Sequence, residues 1–346
     1  MNNIWEKLAK KAHARSGRGK PFFVLAPMAG VTDFAFREII TEIGSPAHSG
    51  RGKPDLIFTE FISTEMVYRI GSVAQKNLPL HFKYSKKQHP IIVQFFGCKS
   101  EQFEYCARLA LKLGFDGIDI NMGCPDRKVQ KQGAGSELIN NPELAREIIR
   151  ATKKGCEGKI PVSIKTRLGY RKKDIENWIF DILKEGVSAI TIHGRHATQG
   201  YQGSADWEII GEISKKIREK YPDVVIIGNG DIKSIEQGKE FAKKYDVDGV
   251  MIGREVMHNP WVFKSELDSN FNQINPNIKE RIKTAIKHTE IFSKIYKDEH
   301  TFSAMKKYYK AYLSGFEGAV KFRAELMQTK NAKEAIKILK RLIKNS

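Results

Sequence analysis

Eight short apolar runs, rich in β-branched residues and separated by helical patterns, restrict the folds open to this chain. They occupy residues 22–26, 56–59, 91–95, 117–121, 161–165, 189–193, 224–228 and 249–252. Runs of four or five such residues suit strands buried on both faces, as in a parallel sheet. Between them, segments such as 100–113 (SEQFEYCARLALKL) and 142–153 place apolar residues three and four apart, the helical period. Pro142 follows Asn140 and Asn141, an arrangement suited to a helix start. Eight strand–helix repeats over some 240 residues predict a (β/α)8 TIM barrel, an α/β fold whose usual size is about 250 residues. A doubly wound sheet is the competing α/β fold, but its GxGxxG fingerprint does not follow the first run. Pro27, Met28, Ala29 and Gly30 stand there instead.

The pattern changes after Trp261. Residues 262–276 read as a polar linker containing Asn275, Pro276 and Asn277. From 277 to 346 the chain is basic and helical in period, which predicts a C-terminal all-helical domain. The expected organisation is a basic N-terminal segment (1–20), a barrel (21–265) and the helical domain (277–346). Residues 45–54 (SPAHSGRGKP) read as a basic loop insert.

Composition narrows the partners. The formal net charge of +19 over 346 residues favours a polyanion over a neutral metabolite. The four cysteines, Cys98, Cys106, Cys124 and Cys156, form no CxxC pair, so neither a zinc ribbon nor any other metal site is expected. No apolar stretch approaches 18 residues, and the N-terminus lacks a signal peptide's apolar core. A cytoplasmic protein without membrane contact is expected, with a monomer as the default.

In such a barrel the active site lies at the C-terminal ends of the strands. The third run ends in Gln94, the fourth delivers Asn121 and Cys124, and the fifth ends in Lys165 with Arg167 just beyond. The sixth ends in His193, the seventh in Asn229, Gly230 and Asp231, and the eighth in Gly253 and Arg254. Glycines in the last two loops suit phosphate binding by backbone N–H groups, and Arg254 adds a cation. Gln94 offers donors and acceptors to a flat heterocycle. Lys165 can stabilise negative charge on a reduced cofactor. Cys124, held between Gly123 and Pro125, is placed for chemistry; the alternative is a small buried hydrophobe. Salt bridges closing the barrel top are the alternative for Lys165 and Arg254.

The segments LAPMAGVTDFAFR, VQFFG, DINMGCPDRKVQKQGAGSELI, SIKTRLGY, IHGRHATQGYQGSADW, IGNGDI and GVMIGR, in this order, resemble the tRNA-dihydrouridine synthases. The resemblance spans residues 22–263, and YLSGFEGAVKFR is similar to the helical tRNA-binding domain of bacterial members. It implies reduction of uridine in tRNA by FMN, with NADPH as electron donor. FMN would be held by Pro27, Met28, Ala29, Gln94, Lys165, His193, Asn229, Gly230, Asp231, Gly253 and Arg254. Cys124 falls on the catalytic cysteine, and Asn121 and Arg167 on positions near the target uracil. Hydride would pass to uracil carbon 6 and a proton from Cys124 to carbon 5. The uridine must leave its stack to reach the barrel. Lys306, Lys307, Arg323, Lys340 and Arg341 are candidate RNA contacts. His196 departs from the family pattern, which commonly has Thr or Ser there. Three alternatives compete: an FMN-dependent small-molecule dehydrogenase or ene-reductase, the same reduction on another structured RNA, and a catalytically silent RNA-binding barrel.

Overall fold

A computed structural model describes residues 3–13, 20–43, 52–71, 79–171, 175–264, 276–297 and 299–344. Eight parallel strands close into a barrel in sequence order. They are β1 (Phe22–Leu25), β2 (Leu56–Ser63), β3 (Ile91–Phe96), β4 (Gly117–Met122), β5 (Val162–Arg167), β6 (Ala189–His193), β7 (Val225–Asn229) and β8 (Gly249–Ile252). The closing pair, β1 with β8, runs in register from Phe22 opposite Gly249 to Leu25 opposite Ile252. Glycine is needed at 249, because a Cβ there would lie 2.3 Å from the Phe22 ring. The expected TIM barrel is thus the observed fold.

One strand differs from expectation. β2 continues four residues beyond Thr59, with a register shift between Phe58 and Phe61 against β3. The Thr59 hydroxyl donates to the Glu60 carbonyl (2.7 Å) and accepts from the Gln94 N–H (3.2 Å), bridging the irregularity. A buried glutamate inside a strand broke the apolar pattern and hid the extension.

Alternation along the strands divides the core in two. One set of side chains faces the surrounding helices and forms the larger apolar cluster. The other enters the barrel, where Phe22, Val24, Leu56, Phe58, Ile92, Ala189, Val225, Ile227 and Met251 pack together. Helix Ile4–His13 belongs to this inner cluster through Trp5 and Leu8. The fully buried Trp5 ring lies 6.3 Å from both Phe22 and Phe58. The N-terminal segment, read from sequence only as basic, therefore carries an apolar face that plugs the barrel.

The C-terminal helices, chiefly Ile278–Ile295, Ala319–Gln328 and Ala332–Lys344, share the outer core with the barrel. The chain is still buried at Trp261, Val262 and Phe263, so its polar stretch begins later than the sequence pattern suggested. The tail docks on helix Phe34–Ile43, on Trp261 and on the loop after β1. Tyr308 stacks on Phe36 (5.1 Å, 18°), and its hydroxyl donates to the Val31 carbonyl (2.6 Å) and to Asp33 (3.0 Å). Lys307 donates to the Gly30 carbonyl of the same loop. Most of the basic insert, residues 45–51, lies outside the described residues.

Replacing a buried Trp by Ala typically costs about 3–5 kcal/mol. Trp5→Ala should lose roughly that much in denaturant unfolding of the full chain. A loss below about 1 kcal/mol would mean that the helix is not part of the barrel core.

Candidate active site

Toward the C-terminal end of the barrel the inward positions change character. Below lie Val24, Ile92 and Val225; above, at the same parity, stand Gln94, Asn121, Lys165, Arg167, His193 and Asn229. Together with the loops they surround a cavity of about 760 Å³, within the range of ligand pockets. Pro27, Met28, Cys124, Gly230, Asp231, Gly253 and Arg254 also line it. Of the residues expected from sequence, Ala29 does not line the cavity; it sits in the turn closed by the Val31 and Thr32 N–H groups on the Met28 carbonyl.

A chain of hydrogen bonds crosses the floor. Ser163 donates to Asp119 (2.6 Å), and the Gln94 amide nitrogen donates to the other oxygen of Asp119 (2.6 Å). Asn121 donates to the Gln94 carbonyl (3.0 Å), and its own carbonyl accepts from the N–H groups of Gly123 (3.1 Å) and Cys124 (2.9 Å). Asn121 thus shapes the cysteine loop. Desolvation pushes the Asp119 carboxyl up to about 6, against the opposing hydrogen bonds of Ser163 and Gln94. Sequence reasoning missed Asp119. The available signal was a charged residue in an apolar strand, two positions before Asn121 and so on the same face.

The Cys124 loop is fixed from beneath as well. Its carbonyl accepts from the N–H (3.0 Å) and hydroxyl (2.9 Å) of Ser136. Gly135 has φ +63°, and a Cβ there would lie 2.8 Å from that carbonyl. This explains the glycine-serine pair eleven residues after the cysteine. Burial raises the Cys124 thiol above its usual range, outweighing the lowering by the Asp126 backbone, Arg167 and Lys165. The group is a protonated thiol at neutral pH.

Cations dominate the walls. Lys165 makes no ion pair among the described residues, and desolvation followed by the nearby Arg167 lowers it to about 8. Arg167 is buried; it donates to the carbonyls of Gly123 (2.7 Å), His196 (3.1 Å) and Gly200 (2.9 Å). The departure at His196 is thereby accommodated, since Arg167 uses its backbone oxygen. Desolvation, then Lys165 and three arginines, hold His193 well below the usual imidazole range, so the ring is neutral. Arg195 donates toward its Nε2 (3.4 Å), which leaves the proton on Nδ1.

At the rim Asp231 accepts from Arg195 (3.0 and 2.5 Å) and from Arg254 (2.7 Å). Burial would raise this carboxyl, but the Arg195 and Ala205 hydrogen bonds prevail and lower it. Arg254 is therefore in a salt bridge, yet it is half exposed and remains at the cavity edge. Gly230 has φ +130°, and a Cβ would come within 2.5 Å of Ala205 and 3.1 Å of His193. Tyr201, absent from the sequence-based site, stands over both Arg254 (4.9 Å) and Arg167 (5.7 Å). It lies in a loop, where no periodic pattern marks it.

The fold and site define a TIM-barrel enzyme whose cavity presents a neutral thiol, a neutral imidazole and an unpaired lysine. The family model "Dihydrouridine synthase (Dus)" matches residues 24–346. A "Probable tRNA-dihydrouridine synthase" of Staphylococcus aureus (strain Mu50 / ATCC 700699) is 37% identical over 339 residues, 97% of this chain and 94% of that protein. The "Probable tRNA-dihydrouridine synthase 2" of Bacillus subtilis (strain 168) is 35% identical, over 97% and 95% respectively. The chain belongs to the dihydrouridine synthase family. Among solved structures, histamine dehydrogenase from Rhizobium sp. 4-9 shares the fold, with a TM-score of 0.51 and 14% identity over 79% of this chain and 49% of that one. Among the described residues no helix is long and apolar enough to cross a membrane, and no group of three His, Cys, Asp or Glu is placed to hold a metal ion.

Lys165 generates a pH prediction. Its folded value of about 8 lies below the unfolded value near 10.4. Below about pH 8 the folded protein bears the full cost of the buried charge, and that cost is relieved as pH rises from about 8 to about 10.4. Ligand-free Lys165→Met should therefore be roughly 2–3 kcal/mol more stable than wild type at pH 7. The gap should close toward pH 10 in denaturant titrations. A less stable variant at pH 7 would contradict the assignment.

Proposed function

We propose that this protein reduces uridine to 5,6-dihydrouridine in tRNA, using FMN as cofactor and NADPH as electron donor. The observation that carries this reading is that Cys124 faces the same cavity as Lys165, which makes no ion pair among the described residues. FMN fits the residues present. Lys165, with no ion-pair partner among the described residues, offers a cation to the flavin ring system. Gln94, Asn229 and the β1 loop residues Pro27 and Met28 offer polar and apolar contacts, whereas Ala29 stands off the cavity. Gly230, Asp231, Gly253 and Arg254, at the ends of β7 and β8, would take the phosphate end, with His193 alongside. The bound flavin would supply the hydride that uracil carbon 6 receives.

The chain's own part is to grip the base, exclude water and deliver one proton. Cys124 donates that proton to carbon 5 and is left as a thiolate, which Lys165 and Arg167 stabilise. His193, being neutral, does not compete as an acid. Arg167 and Asn121, which line the cavity, are the residues we assign to the uracil edge. The reaction needs no metal. The uridine must be turned out of its stack, at a cost of a few kcal/mol. The loss is offset by contacts of the helical domain, residues 277–346, with the RNA backbone.

Four of the five tail cations considered from sequence have partners within the chain, Lys306 and Arg341 at the surface. Lys306 donates to Met327, Lys307 to Gly30 and Arg323 to Leu313, and Arg341 pairs with Glu325. A cleft of about 1440 Å³ flanked by helix Ala332–Lys344 gathers Lys333, Lys337, Lys340, Lys344 and Arg341 beside Glu290, Glu325 and Glu334, and its lysines are the candidates we favour. We place the enzyme in the cytoplasm as a monomer.

Cys124→Ala should keep its flavin absorbance and NADPH oxidation but lose dihydrouridine on tRNA by at least about 100-fold, the scale of a lost general acid. Nucleoside mass spectrometry reads the product, and undiminished product would remove Cys124 from the role. Replacing Lys333, Lys337 and Lys340 together by Gln should weaken tRNA binding and make the salt slope shallower by up to about three. An unchanged slope would place the RNA elsewhere.

A further inference from the structure

We infer that Asp119 is a positioning residue: its carboxylate sets which way round the Gln94 amide lies and, through Gln94 and Asn121, holds the loop that presents Cys124. A side-chain amide has two ends of nearly equal shape, and only its partners orient it. Asp119 is fully buried, and its carboxylate can only accept. The Gln94 amide nitrogen must therefore face it at 2.6 Å, which turns the Gln94 oxygen toward Asn121. Asn121 must then donate to Gln94, and its oxygen is left for the two loop N–H groups. Any single reversal sets donor against donor. Ser163 completes the chain by donating to the other oxygen of Asp119. A polar side chain spent this deep in the barrel would be costly without such a task. Its effect reaches two places, the Gln94 face of the cavity and the thiol loop. The flavin readout below rests on the proposed function; the thiol readout does not.

The test compares Asp119→Asn and Asp119→Leu in the full chain as purified. Two quantities are read: FMN affinity by fluorescence, and the rate of iodoacetamide alkylation at Cys124 by peptide mass spectrometry. D119N can keep the chain by letting Ser163 accept, and should stay within about twofold of wild type in both. D119L removes the acceptor; it should weaken FMN binding about tenfold and raise Cys124 alkylation several-fold. In an Asn121→Ala background, which has already released the loop, D119L should add less than about twofold to the alkylation rate. Unchanged alkylation in D119L, or effects that simply multiply with N121A, would overturn the proposal. If D119L does not fold, D119A replaces it. It removes the same acceptor without adding bulk, so alkylation should rise as in D119L, and an unchanged rate again overturns the proposal. Absence of FMN binding in wild type would count against the proposed function while leaving the alkylation result to judge Asp119.

Discussion

Closure of eight short parallel strands forces every second residue into a space with no exit except its two ends. Nearly everything else in this protein follows from how that space is filled. At the N-terminal end it is filled by apolar side chains and sealed by Trp5 and Leu8. At the other end the same parity delivers Gln94, Asn121, Lys165, Arg167, His193 and Asn229 into one cavity. No loop has to bring these groups together; the strand register does so. The loops add Cys124, Asp231 and Arg254 at the rim.

Two opposed effects act on the thiol. Lys165 and Arg167 favour the thiolate, whereas burial favours the neutral form, and burial is the larger. At His193 there is no such opposition: burial and the surrounding cations act in one direction and leave the ring neutral. The site thus holds one neutral thiol among cations, the arrangement that the proposed proton donation requires. A nucleophilic cysteine would need the reverse order of effects. The helical tail is tied into this arrangement, because Tyr308 and Lys307 grip the loop that carries Met28 to Asp33.

Strands and their polar ends were legible because fully buried strands leave largely apolar runs, and a residue such as Gln94 or Lys165 stands out near the end of one. What stayed hidden had a physical reason in each case. β2 was cut short because Glu60 interrupts its pattern. Asp119 lies within its strand rather than after it. Tyr201 comes from a loop without periodicity, and helix Ile4–His13 buries too few apolar residues to outweigh its lysines. The engagement of Lys307 with Gly30 joins positions 277 residues apart, which no local pattern encodes.

The central claim is that Cys124 acts as a protonated thiol. Single-turnover reduction of unmodified tRNA by the pre-reduced enzyme, followed by rapid quench from pH 6 to pH 10, tests it most directly. A general acid predicts a rate that is flat through neutral pH and falls only in the alkaline range, first as Lys165 loses its charge above about 8 and then, beyond the ordinary cysteine value of about 8.5, as the raised Cys124 thiol ionises. A rate that climbs with pH over that range would show that the thiolate is the reacting form, and would contradict the account.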